Sequence, residues 1–260
     1  MKNLTPEQRE VLLPKNTVLA GYRGSVAHNM YVPNTDPDSV DDIDLMSIYM
    51  APKEYYIGLG FGKQYRKGRD RFVGEYDIVD YEFKHFVRLL LKSNPNVLSM
   101  LWLNDNHYIK LHPYGQMLID YRDLFVSKQA YKAFTGYAYG QLKRMTHYSK
   151  EGYMGIKRAA LVKKFGYDTK NAAHCIRLLK LGMEFLTTGE LNVFRKDAPM
   201  LLEVKLGKWT LEDVKSEAKR LMDLTEEAYI RSSLPTNPDV KRVERLVMDI
   251  TMDYVSDKVH

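Results

Sequence analysis

The stretch Asp41-Asp42-Ile43-Asp44, placed directly ahead of the apolar run Leu45-Met46-Ser47-Ile48-Tyr49-Met50, restricts this chain more than any other segment. Ile43 to Met50 reads as a largely buried strand. Side chains alternate across a strand, so Asp42 and Asp44 project from one face, about 6–7 Å apart, whereas Asp41 points the other way or lies in the turn as a bystander. Two such carboxylates either stand in solvent at a strand entry or share a cation. Oxygen-only ligands suit magnesium or manganese, and a divalent ion held by carboxylates acts mainly on phosphates. Upstream, Thr17–Tyr22 (TVLAGY) is a second β-leaning run that stops at Arg23-Gly24-Ser25, the pattern of a strand, a tight turn and a helix start. Gly24 and Ser25 would let backbone N–H groups and a hydroxyl come close to a phosphate, although a Gly-Ser pair alone is as readily an ordinary turn. A third carboxylate on a neighbouring strand would complete a metal site. The segment EYDIVDYE (75–82) supplies Asp77 as first choice, with Asp80 and Glu82, which share the opposite face, as alternates.

The rest of the chain sets the architecture. Thr5-Pro6-Glu7-Gln8 carries the signature of a capped helix start. Residues 33–39 (PNTDPDS) read as loop, and the glycine-rich, basic stretch from Gly58 to Gly74 as a mobile cationic loop; Val73 to Phe83 is a further strand candidate. After residue 82 the periodicity is helical. Helices are expected over Phe83–Leu91, Lys128–Tyr148, Gly155–Phe165, Lys170–Thr187, Leu211–Arg231 and Asp239–Val255, with Val193–Val204 as a hairpin or turns. The fold class is therefore α+β: a small mixed sheet with flanking helices to about residue 125, followed by a helical C-terminal region over 126–260.

Composition excludes several classes. No stretch approaches the roughly 18 uncharged apolar residues of a membrane helix, and MKNLTPEQRE lacks the apolar core of a signal peptide, so the expected compartment is the cytosol. The single cysteine, Cys175, rules out an internal disulfide and reads as an inert buried thiol. Walker A, Gly-x-Ser-x-Gly and His-Glu-x-x-His motifs are absent. The formal charge is +6, but it is unevenly spread: ten basic residues between Lys143 and Lys180 meet only Glu151 and Asp168. Lys170, His174 and Arg177 fall on one helical stripe at i, i+4 and i+7, which suits either a solvated face or the binding of nucleotide phosphates. The mixture of tyrosines and basic residues from Tyr131 to Arg158 suits either inward-packed helices or stacking on a single-stranded nucleic acid.

Gly24-Ser25, Asp42-Ile43-Asp44 and a later strand carboxylate resemble the nucleotidyltransferase superfamily of DNA polymerase β. Three blocks in order, GSVAHNMYVPNTDPDSVDDIDLM, YDIVDYEFKHFVRLLLKSNPNVLSMLW and KKFGYDTKNAAHCIRLLKLGMEFLTTGEL, resemble the predicted nucleotidyltransferases of the RNA repair pathway polymerase-β family over most of residues 17–192. The resemblance implies a nucleotidyltransferase-type fold. It implies that Gly24 and Ser25 hold the triphosphate, assisted by Lys170, His174 and Arg177, that Asp42 and Asp44 bind two magnesium (or manganese) ions, and that Asp77 completes the metal site and helps activate the attacking hydroxyl. The implied reaction transfers NMP from ATP or another NTP to a hydroxyl acceptor, expected to be an RNA or tRNA end, with release of pyrophosphate. The alternatives are an RNA-binding or regulatory module with a degenerate site, and an enzyme that AMPylates a protein. Two departures from the pattern stand out: a long insertion between Ser25 and Asp42, and Ser99 where an acidic residue is expected.

Overall fold

The computed structural model describes residues 4–33, 35, 36, 39, 41–59, 62–147 and 156–256. The expected helix ends at Tyr148 and Gly155, the charges of Lys150 and Glu151, Gly60, and parts of the 33–39 loop lie outside the described residues. In chain order the elements are α1 (Pro6–Leu12), β1 (Thr17–Tyr22), α2 (Gly24–Ala27), β2 (Ile43–Tyr49), α3 (Lys53–Ile57), β3 (Arg69–Val73), β4 (Tyr76–Glu82), α4 (Phe83–Leu90), α5 (Pro95–Leu98), β5 (Tyr108–Leu111), α6 (Pro113–Asp120), α7 (Ala130–His147), α8 (Ile156–Phe165), α9 (Thr169–Thr188), α10 (Ala198–Lys205), α11 (Leu211–Arg231) and α12 (Val240–Ser256). They group into two compact units. One comprises Met1–Gly24, Asp42–Val126 and Asn237–His260, and the other Ser25–Asp41 and Ser127–Thr236.

The first unit is built on a mixed five-stranded sheet of order β3-β4-β2-β1-β5. Only β2 and β4 run parallel; the other pairs are antiparallel. Strand β1 is buried along its whole length, and Leu19, Leu45, Ile48 and Ile78 are fully buried, each contributing about 1.5–3 kcal/mol by leaving water. The helix α4 begins where Glu82 ends β4: the carboxylate accepts from the His85 N–H, and Phe83, Phe86, Val87 and Leu90 then bury one face. The last helix belongs to this unit. Tyr254 Oη donates to Ala51 O at 3.1 Å, and Tyr114 Oη donates to Asp253 at 2.7 Å.

The second unit is helical and centres on α9, which packs against α7, α10 and α11. At Gly182 a side chain would place a Cβ 2.8 Å from Phe134 Cβ, so the missing side chain is what lets α7 and α9 approach, with Phe134 stacked over Phe185 at 6.3 Å. Asp168 caps α9, accepting from the Asn171 N–H at 3.0 Å. Cys175 is buried in this core, and burial pushes its thiol up to about 12, which makes it inert as a nucleophile.

The structure corrects three expectations. Part of the stretch read as a mobile cationic loop is β3, an edge strand in which Arg69, Asp70 and Phe72 are exposed. The strand β5 closes the opposite edge of the sheet, in a region where only helix was expected. Val193–Val204 contains no hairpin: Pro199 opens α10, because its fixed φ and missing N–H suit a first helical turn. Among the described residues no helix is long and apolar enough to cross a membrane.

Candidate functional site

In the first unit the parallel register of β2 and β4 sets Asp44 directly beside Asp77. Asp42 lies two residues upstream of Asp44, just before β2 begins, and is exposed. Strand β1 delivers Arg23 to the same place. Its backbone N–H donates to Asp44 O at 2.9 Å and its Nε donates to Leu45 O at 3.2 Å. One terminal nitrogen of its guanidinium then stands 3.6 Å from Asp44 Oδ1 and 3.5 Å from Asp77 Oδ2. Gly24 adopts φ +60°, and a Cβ there would lie 1.9 Å from Asp44 Oδ2, so only glycine lets the turn press against this carboxylate. Sequence spacing had shown the carboxylates but not their present counter-charge, since a guanidinium's direction depends on the turn that carries it.

The alternates are committed elsewhere. Asp80 is 2% exposed, accepts from Ser47 Oγ at 2.6 Å and pairs with Arg71, which also bonds Leu12 O. Glu82 is fully buried, accepts from Tyr56 Oη at 2.6 Å and caps α4. Ser99, the departure noted above, is buried and donates to Pro95 O at 2.7 Å.

The chemistry of Asp42, Asp44 and Asp77 fits a hard divalent cation: the donors are carboxylate oxygens only, Asp44 and Asp77 face each other, and a positive group already lies between them. Among the described residues no three His, Cys, Asp or Glu side chains are assembled closely enough to hold a metal ion.

The second unit holds the other named residues. Lys170, His174 and Arg177 share the stripe of α9 expected from their spacing, but it is no solvated face: Arg177 is 7% exposed, and Lys170 reaches Asp41 at 3.5 Å. Asp41 is a working residue instead of a bystander. It is 1% exposed, accepts from the Val32 N–H at 2.9 Å and pairs with Lys205 of α10, whose ammonium also donates to Met30 O at 2.7 Å. Burial draws the Lys205 pKa down, and Asp41 opposes that shift. His28, 5% exposed, holds Val193 O at 2.8 Å through Nδ1. Burial first, and the nearby Arg177 next, hold its pKa well below the ordinary value, so the ring is neutral. Ser25 Oγ is buried with no hydrogen-bond partner among the described residues. Three cations, two histidines and an orphaned hydroxyl thus belong to a unit in which Asp41 is the carboxylate that meets Lys170 and Lys205. Helix α2, expected as a phosphate-binding helix start, is a single turn and carries little dipole.

The RNA repair pathway DNA polymerase beta family matches residues 6–249. None of the curated proteins matches the chain. Among solved structures, a nucleotidyltransferase-like protein from Exiguobacterium sibiricum 255-15 is similar at 12% identity, covering 96% of this chain and 78% of that one, with a TM-score of 0.28. With the family match spanning almost the whole sequence, the chain belongs to the RNA repair pathway DNA polymerase beta family, whose members are polymerase-β-like nucleotidyltransferases.

Proposed function

We propose that this protein is a divalent-metal-dependent nucleotidyltransferase that moves NMP from an NTP to the hydroxyl of an RNA or tRNA end and releases pyrophosphate. The observation that carries the reading is the register match of Asp44 with Asp77, with a cationic group already between them. Asp42, Asp44 and Asp77 would hold magnesium or manganese, which would lower the pKa of the attacking hydroxyl and offset charge on the leaving pyrophosphate. Asp77 takes part in removing the hydroxyl proton as the new O–P bond forms and the bond to pyrophosphate breaks. Gly24 gives the turn its close approach, while Ser25, Lys170, His174 and Arg177 receive the triphosphate. The Ser25 hydroxyl, buried with no hydrogen-bond partner among the described residues, favours a phosphate oxygen as its partner.

The competing reading, an RNA-binding module with a degenerate site, draws on the Arg23 guanidinium at Asp44 and Asp77 and on Ser99. Calorimetry with Mg-NTP separates them. Magnesium-dependent nucleotide binding that disappears in Asp42→Asn/Asp44→Asn supports the enzyme; RNA binding with no nucleotide affinity supports the module.

A further inference from the structure

The buried side of α7 is formed by Ala130, Phe134, Ala138, Gln141 and Met145. On the opposite side Lys132, Gly136, Tyr139, Gly140 and Lys143 recur at i, i+4, i+7, i+8 and i+11, forming a continuous outward stripe. Tyr139 is 52% exposed, and the Lys143 ammonium lies 4.7 Å over its ring, so aromatic surface and charge form one pad. Tyr137 (38% exposed) and Arg144 flank it. The two glycines are expensive residues for a helix interior, each about 1 kcal/mol worse than alanine. Among the described residues nothing accounts for them: a Cβ at either position would meet none of their atoms within 4 Å. They leave a shallow trough along the helix beside the tyrosine ring.

Charge complementarity selects the occupant. Helix α7 contains no Asp or Glu, and its Lys132, Lys143 and Arg144 are all exposed. A polyanion fits this surface. Exposed tyrosine faces select a strand with unstacked bases over a duplex, since base stacking on an aromatic side chain needs a free base face. We infer that the outer face of α7 is a binding platform for single-stranded nucleic acid. Tyr139 stacks a base, Lys132, Lys143 and Arg144 hold phosphates, and Gly136 and Gly140 let the strand's backbone lie against the helix. This rests on the proposed nucleotidyl transfer only for the strand's role as acceptor; its binding stands independently.

The test uses the full chain and the fluorescence anisotropy of a short labelled ribo-oligonucleotide, its deoxy counterpart and a duplex, across a salt series. Tyr139→Ala is expected to weaken single-strand binding about tenfold. Lys143→Glu/Arg144→Glu should weaken it further and reduce the log–log salt slope by about 1.4, two phosphate contacts' worth. Gly136→Ala/Gly140→Ala should raise the melting temperature yet weaken binding, opposite signs that a merely structural role for the glycines does not produce. The ribo and deoxy arms identify which kind of strand the platform takes. Wild-type affinity in all three variants, or a duplex bound as tightly as a single strand, overturns the platform. Mg-NTP binding, measured on the same variants, is expected to be unchanged; if wild type binds strands in this pattern but no nucleotide, the transfer reading falls and the platform remains.

Discussion

Replacing Arg23 with alanine tests whether Asp44 and Asp77 form a cation site. The guanidinium stands 3.5–3.6 Å from both carboxylates, and all three side chains are 20–25% exposed. A pair of unit charges at that distance is worth about 5 kcal/mol at an effective dielectric of 20 and about 1 kcal/mol in water. Desolvation and the ordering of a long side chain offset part of this, so the net loss in Arg23→Ala should be about 1–3 kcal/mol. The variant also leaves two carboxylates facing each other. In EDTA its urea midpoint should therefore fall by roughly 1 M, given typical slopes of about 1–3 kcal/mol/M. Magnesium should then restore the variant more than it stabilises wild type, because the ion fills the place the guanidinium held; at a hundredfold excess over Kd the gain is about 2.7 kcal/mol. Lys208→Ala, which removes a loose pair at 3.8 Å on an exposed lysine, is the control and should be silent. Equal midpoints for Arg23→Ala and wild type in EDTA, or an equal magnesium gain in both, would refute the reasoning.

Three further outcomes follow from the geometry. Gly24→Ala forces a Cβ into Asp44 Oδ2 at φ +60°, so magnesium-induced stabilisation in a thermal-shift titration should disappear while the circular dichroism spectrum stays native; an unchanged titration contradicts the role given to that turn. Asp41→Ala strands the buried Lys205 ammonium and should cost about 3–5 kcal/mol, most of it recovered in Asp41→Ala/Lys205→Met, as a double-mutant cycle in urea would show. His28 is neutral when folded because burial and Arg177 depress its pKa, so the unfolded chain binds its proton first as pH falls. Its contribution is complete above about 6.5 and is lost below that at about 1.4 kcal/mol per pH unit. His28→Gln should flatten the stability profile by that slope, measured as a difference from wild type because His85, His107 and His112 are depressed as well; an unaltered slope defeats the assignment.

Local chemistry announced much of this fold. Thr5 and Gln8 form the capping box their spacing promised, β1 spans Thr17–Tyr22 as read, and Leu211–Arg231 begins at its Thr210 cap. These elements bury what their periodicity exposes to prediction. The edge strands β3 and β5 escaped because an edge needs no apolar alternation: Arg69, Asp70 and Phe72 of β3 face solvent. At the candidate site, alternation within each strand singled out Asp44 and Asp77, while the parallel register that sets them side by side came only with the structure, and Arg23 and Asp41 were hidden by different causes. The first depends on where a turn aims a long side chain. The second depends on Lys205, 164 residues away, a separation that no local pattern encodes. The α9 stripe was visible from its i, i+4, i+7 spacing, but the burial of Arg177 comes from packing alone.

The central claim, nucleotidyl transfer through the β2–β4 carboxylates, is tested most directly by incubating the protein with each α-labelled NTP, magnesium and total RNA or a protein extract. The account predicts label in RNA, abolished by EDTA and by Asp42→Asn/Asp44→Asn in protein that remains folded. Full transfer by that double variant, or label in protein and none in RNA, would contradict it.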